Sequence, residues 1–200
     1  MKNTYFIAYL FVAFILMLNG CATGNTMKNI KKNYSLDEEK GTGIVVVSLT
    51  NSGFPPSADV ALRLRDATNR DRYDADVQMN DPSQSSELGC SFFELNPTKK
   101  QNCGRRLAII ELPQGEYEFY SWQATTSAFF SRRAISPEDE FYKQFRVTAG
   151  KVVYLGNLWL FYGGGQYRIQ VIDMRQRDIQ LLYRNYPNIY PDNIIINILQ

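Results

Sequence analysis

Histidine is absent from this chain, and that gap excludes a good deal. Without imidazole there is no Ser-His-Asp arrangement, few of the ligand sets that zinc uses, and no side chain that ordinarily titrates near neutral pH. Cysteine is scarce, at three residues, and none falls in a CxxC spacing. A zinc knuckle is therefore not expected. Charge is also in short supply: 22 basic residues against 20 acidic ones leave a net charge of +2. A nucleic-acid binder needs a marked basic excess to neutralise phosphates, so that class is excluded. No repeat recurs at a fixed period, and no lysine-bearing phosphate loop occurs. Neither a cofactor nor a resident metal is expected.

What remains is the composition of a globular protein, 44% hydrophobic and 14% aromatic over 200 residues. A body of about 180 residues buries roughly 70% of its unfolded surface, which is enough for a core without metal support. Long hydrophobic runs are nearly missing too. The exception is Tyr5 to Leu18, which follows Lys2 and reads as the n-region and h-region of an export signal. A membrane-spanning helix is the alternative, but a span needs about 20 apolar residues, and this run stops at Asn19-Gly20.

Leu18-Asn19-Gly20-Cys21 resembles the lipobox of bacterial lipoproteins: an aliphatic residue, a tolerant position, a small residue, then cysteine. The resemblance implies cleavage after Gly20, a diacylglycerol thioether on the sulfur of Cys21, and further acylation of the new amino group. Two or more chains hold a protein on a bilayer stably, at roughly 0.8 kcal/mol per buried methylene. Ala22, in place of the aspartate that favours the inner membrane, implies transfer to the outer membrane. Ala22 to Lys40 is small, polar and lysine-bearing, and is expected to be a flexible tether. Lys28, Lys31 and Lys32 could touch anionic headgroups, though a solvated linker is the plainer reading. The expected division is a signal peptide over 1–20, a lipidated N-terminus and tether over 21–41, and a folded domain over 42–200. With Cys21 lipidated, Cys90 and Cys103 remain as a pair, and an oxidising envelope favours a disulfide between them.

Period-two patterning begins after Gly41. Gly43–Asn51 is a β-branched run. Asp59–Asp66 alternates Val60, Leu62 and Leu64 with Arg63 and Arg65. Arg105–Leu112 and Glu116–Ala124 read as two more strands, the second with Tyr117, Phe119 and Ser121 on one side and Tyr120 and Trp122 on the other. Two further strands meet at Ala149-Gly150, where glycine suits a tight hairpin, and Gly165–Asp173 adds another. One helix is expected after Asp173 as N-cap, with Ile179, Leu182, Tyr183 and Tyr186 on its apolar face and Pro187 as its stop. The fold class is mainly β: a single antiparallel β-sandwich of about seven strands with one C-terminal α-helix. Asp66 to Leu88 reads as a long polar loop.

The segment Leu112-Pro113-Gln114-Gly115-Glu116-Tyr117 resembles the L-P-x-G-x-Y corner of transthyretin-like and carboxypeptidase-regulatory-like β-sandwich modules. With Gly150 and Gly156 it is similar to a group of uncharacterised bacterial envelope lipoproteins. The resemblance spans about Ile44 to Pro187. It implies architecture and no catalytic residues. In particular it implies a tyrosine corner, the Tyr117 hydroxyl bonding back to the backbone.

Several candidate sites follow. Asp71, Asp74 and Asp76 could hold calcium on a flexible loop, although a solvated acidic loop explains them as well. Trp122, Trp159 and Tyr162 are candidate glycan contacts, with the glycines of Trp159–Tyr167 allowing close approach; a core role is the competing reading. Arg132-Arg133 is a candidate recognition loop, with a charged surface turn as the plainer reading. Glu116 and Glu118 share one strand face at a spacing that a hydrolase could use, but nothing places them in a cleft. Asp192–Gln200, rich in isoleucine, must either close the chain's own sheet or add to a partner's. The functional expectation is a membrane-anchored, non-catalytic envelope lipoprotein that binds or scaffolds another envelope component, a protein or a glycan. A peptidoglycan- or polysaccharide-binding module is the alternative, and a hydrolase a weaker one.

Overall fold

The fold is given by a computed structural model that describes residues 25–26, 29–54, 58–70, 74–79, 103–128 and 131–200. The lipobox with Gly20 and Cys21, the hydrophobic run before it, Asp71 and Cys90 lie outside the described residues, as does the side chain of Cys103. The described part is mainly β, with two sheets and one α-helix.

The strands are β1 (Asn25–Thr26), β2 (Thr42–Ser52), β3 (Asp59–Asp66), β4 (Asp74–Gln78), β5 (Cys103–Pro113), β6 (Gly115–Ala128), β7 (Ser131–Ile135), β8 (Lys143–Val147), β9 (Val152–Gly163), β10 (Gln166–Ile172) and β11 (Ile194–Ile196). The helix α1 is Arg175–Asn185. The first sheet runs β1-β4-β3-β6-β7, with β8 also on β6; the second runs β10-β9-β2-β5, with β11 also on β9. The expected all-antiparallel order is corrected, since β2 and β11 both run parallel to β9 and β1 runs parallel to β4. The expected loop over Asp66–Leu88 is corrected in part, because it contains β4.

Two cores explain the sequence pattern of β2. Val45, Val47 and Leu49 enter the core shared by the two sheets, while Ile44 and Val46 enter a second core under α1. A strand buried on both faces reads as a continuous β-branched run rather than an alternation. The second core is closed by Leu181, Leu182, Tyr186 and Ile189. The buried stripe of the helix is Asp178, Leu181 and Leu182, so the apolar face is rotated from the expected one, and Ile179 and Tyr183 are only half-buried. Asp173 is not the N-cap as expected: Met174 takes that position and lacks a side-chain bond, although the Asp173 carboxylate accepts from the backbone N–H of Arg175.

Two bulges switch the inward parity of long strands. In β6, Arg63 pairs with Ser121 and Leu64 with Phe119, so Tyr120 is the extra residue. Phe119 and Trp122 therefore both point into the shared core, which corrects the expected split of these side chains. In β9 the register against β2 shifts after Val46, and Gly156 adopts φ +94°. Leu155 and Leu158 then both face inward. Such a φ suits glycine alone, and an added Cβ would meet the Ile172 carbonyl oxygen at 3.2 Å.

The turn at Pro113–Gly115 carries the chain from the second sheet to the first, and the Tyr117 hydroxyl donates to the Pro113 carbonyl at 3.0 Å. The expected hairpin at Ala149-Gly150 is corrected: β8 pairs with β6 in one sheet and β9 with β2 in the other. Gly150 does adopt φ +67°, but within a connection between the sheets.

The tether expectation is corrected for residues 29–36. The backbone of β1 lies along β4. The Asn29 side-chain amide donates to the Leu107 carbonyl and accepts from the Ile109 N–H, and the Ile30 N–H donates to the Ile109 carbonyl at 2.9 Å. Ile30, Tyr34 and Leu36 pack against the second core. This segment covers the backbone groups that the edge of β5 would otherwise present. Arg106, which donates to the Gln78 carbonyl, ties β5 to β4 across the same side of the molecule.

The C-terminal segment closes the chain's own sheet. Ile194–Ile196 pairs with Val152–Tyr154, and Leu199 reaches the shared core.

Candidate functional site

On the outer face of the second sheet, beyond the end of α1, three cross-strand rows stand side by side. They are Ser48, Asn157 and Ile172; Thr50, Trp159 and Gln170; and Ser52, Phe161 and Arg168. Trp159 is half-buried and donates its indole N–H to Ser52 Oγ at 2.9 Å. Its ring meets Phe161 edge-on at 6.2 Å, and Phe161 is 43% exposed. Gln170 and Arg168 are exposed beside them. The arrangement offers an aromatic surface bordered by hydrogen-bonding groups, most of them uncharged.

Under the first row the helix is fastened by a buried polar cluster. Asp178 accepts from Ser48 Oγ at 2.7 Å and from the Tyr154 hydroxyl at 2.8 Å, and Arg177 pairs with its other oxygen at 2.7 Å. Asn157 Oδ1 lies 3.0 Å from the hydroxyls of both Ser48 and Thr50. Burial, then the Asp178 charge, holds the Tyr154 phenol well above its ordinary pKa. Through Asp178, Ser48 and Tyr154 thus tie the helix to the second sheet. Beside it, Asp173, Met174, Arg175, Gln176, Arg177 and Gln180 line an open depression of about 760 Å³.

The three glycan candidates are not brought together. Trp122 is 1% exposed and lies among the rings of Phe54, Tyr162 and Tyr167 in the shared core, which removes it as a contact. Tyr162 stacks on Phe54 at 5.2 Å, on the inward side of β9. Trp159 alone stands on the outer face, and its partner there is Phe161, which the sequence reading passed over. The i, i+2 relation of Trp159 and Phe161 was the available signal.

The acids are drawn into arginine pairs on the outer face of the first sheet. Glu118 is buried and accepts from Arg65 Nε at 2.7 Å; Arg65 also grips Glu140 and lies 3.9 Å above the Tyr120 ring. Glu116 pairs with Arg146. Asp74 and Asp76 sit on a strand, not a flexible loop, and Arg63 lies 2.8 and 3.8 Å from them. Among the described residues no cluster of three or more His, Cys, Asp or Glu is placed to hold a metal ion. Arg133 is exposed on β7, and the side chain of Arg132 lies outside the described residues. Among the described residues no helix is long and apolar enough to cross a membrane.

No protein-family model matches the chain, and no curated protein matches it. Among solved structures, a leucine-rich repeat protein from Bacteroides thetaiotaomicron VPI-5482 aligns with 58% of this chain at 13% identity and a TM-score of 0.34. The match covers 13% of that protein's own length. A likeness of that degree fixes neither fold nor activity.

Proposed function

We propose that this chain is a lipid-anchored, non-catalytic envelope protein that binds another envelope component through the outer face of its second sheet. The observation that carries the binding surface is the Trp159–Phe161 pair, set beside Thr50, Ser52 and Gln170, with Phe161 and Gln170 exposed. Cys21, after Gly20 in its lipobox, supports the anchor, and Ala22 supports the outer membrane. A disulfide between Cys90 and Cys103 belongs to the same reading. So does a transthyretin-like sandwich, for which the Tyr117–Pro113 bond is the support. The engagement of Glu116 and Glu118 by arginines favours binding over hydrolysis.

The glycan alternative draws on the same pair, since a pyranose stacks on an indole while flanking hydroxyls and amides bond its rim. A photo-crosslinking residue at Phe161, activated in cells and followed by mass spectrometry, tests the reading. A protein adduct at Phe161 that is absent from a control position such as Gln123 supports a protein partner. A peptidoglycan or polysaccharide adduct supports the glycan reading. Identical patterns at both positions would remove this face as the binding surface.

A further inference from the structure

We infer that the side of the body where β1 and the segment from Asn29 to Leu36 line the edges of β4 and β5 lies against the bilayer, with Lys31 and Lys32 on anionic phospholipid headgroups. The inference rests on the reading of Cys21 as the lipidated residue. Three residues, Ala22 to Gly24, separate Cys21 from Asn25, where β1 begins along β4. Four Cα steps span at most about 14 Å, whereas a body of this size is about 40 Å across. On so short a leash the opposite edges, formed by β7 with β8 and by β10 with β11, are held away from the lipid.

The segment that continues from β1 stays on the moored side. Asn29 and Ile30 lie along β5, and Tyr34 donates to Glu111 of the same strand at 2.7 Å. Between those attachments Lys31 and Lys32 are exposed. The nearby acids of β4, Asp74 and Asp76, have Arg63 within ion-pair reach. The acidic turn at Asp37–Glu39 lies further on, where Glu38 approaches Gly150. Each lysine near an anionic surface favours contact by about fivefold, so the pair biases the orientation by roughly 25-fold. The docked segment turns two edge strands that would otherwise invite pairing into a lipid-facing seam.

The test uses the full lipidated chain in phosphatidylcholine vesicles with and without phosphatidylglycerol. Flotation is scored first. Lysine acylation is then mapped by mass spectrometry, with Lys143 on β8 as the internal reference. The expected result is flotation on both vesicle types, with acylation of Lys31 and Lys32 slowed severalfold by phosphatidylglycerol and Lys143 unchanged. Flotation with equal acylation of all three overturns the orientation while leaving the anchor standing. Failure to float overturns the anchor and the orientation with it.

Discussion

Ser48 and Asp178 lie 130 positions apart, yet the serine hydroxyl donates to the aspartate at 2.7 Å with both side chains buried. This contact, with the Tyr154 hydroxyl on the same oxygen, is where the helix is fastened to the second sheet. Replacing Asp178 by Ala leaves the Tyr154 hydroxyl without this acceptor, at about 1–3 kcal/mol, while Ser48 keeps Asn157 Oδ1 at 3.0 Å. Urea unfolding should show a loss of that order for Asp178→Ala and a smaller one for Asp178→Asn, which keeps an acceptor oxygen. Equal losses would contradict the fastening role.

The grip of Arg65 on Glu140 should appear in the acid limb of the stability curve. Hydrogen bonding to Arg65 holds the Glu140 carboxyl below its ordinary pKa of 4.5. A depressed folded pKa means stability that is present above the unfolded value and lost as pH falls through the folded one. Melting temperature should therefore begin to drop below about pH 5, and Glu140→Gln should flatten part of that drop. At the other end, burial and then the bond to Asp74 push Tyr120 up to about 12. That contribution is complete below the ordinary value of 10 and is lost as pH rises from there toward 12. Tyr120→Phe should reduce the alkaline loss. An unchanged alkaline limb in that variant would count against it.

Gly156 holds the parity switch of β9. Alanine there must adopt a positive φ beside the Ile172 carbonyl, at a cost of about 1–3 kcal/mol. Differential scanning calorimetry of Gly156→Ala should show a clear fall in Tm; no change would mean the bulge tolerates a side chain.

The tail should prove structural. Leu199 is buried in the shared core, and a Leu→Ala change at such a site costs about 2–5 kcal/mol. Deletion of Ile194–Gln200, which also removes β11 from β9, should lower Tm further. An unaltered Tm for the deletion would return the tail to the role of a partner-binding strand.

Trp122 separates stability from binding. Among the described residues its buried indole N–H has no acceptor, so Trp122→Phe should cost little beyond lost ring area, while Trp122→Ala should cost about 3–5 kcal/mol. Trp159→Ala should lower Tm far less than Trp122→Ala and abolish the Phe161-centred adduct. A large stability loss for Trp159→Ala would place that ring in the core as well.

Strands were legible where apolar and charged residues alternate, as in Asp59–Asp66, because Val60, Leu62 and Leu64 then mark the face that enters the shared core. Legibility failed at Tyr120 and Gly156, since one extra residue inverts every later side chain and leaves no mark on composition. Parallel pairing of β2 with β9 was also hidden: residues about 108 positions apart carry no local signal of their register. Ile30, Tyr34 and Leu36 were lost among lysines and polar residues, so a docked segment passed for a tether. Asp178 was hidden for a different reason. A carboxylate on a helix reads as its wet side, and only the convergence of Ser48, Tyr154 and Arg177 makes its burial sustainable. The bond from Tyr117 to the Pro113 carbonyl was expected only through the resemblance carried by Leu112–Tyr117.

The proposed envelope role and the bilayer-facing side both depend on lipid at Cys21. Intact mass spectrometry of the protein extracted from cell membranes tests this directly. The account predicts a chain beginning at Cys21, heavier than its residues by a diacylglycerol and, after N-acylation, a further acyl chain. A mass that retains residues 1–20, or one that begins at Cys21 without added lipid, would contradict it.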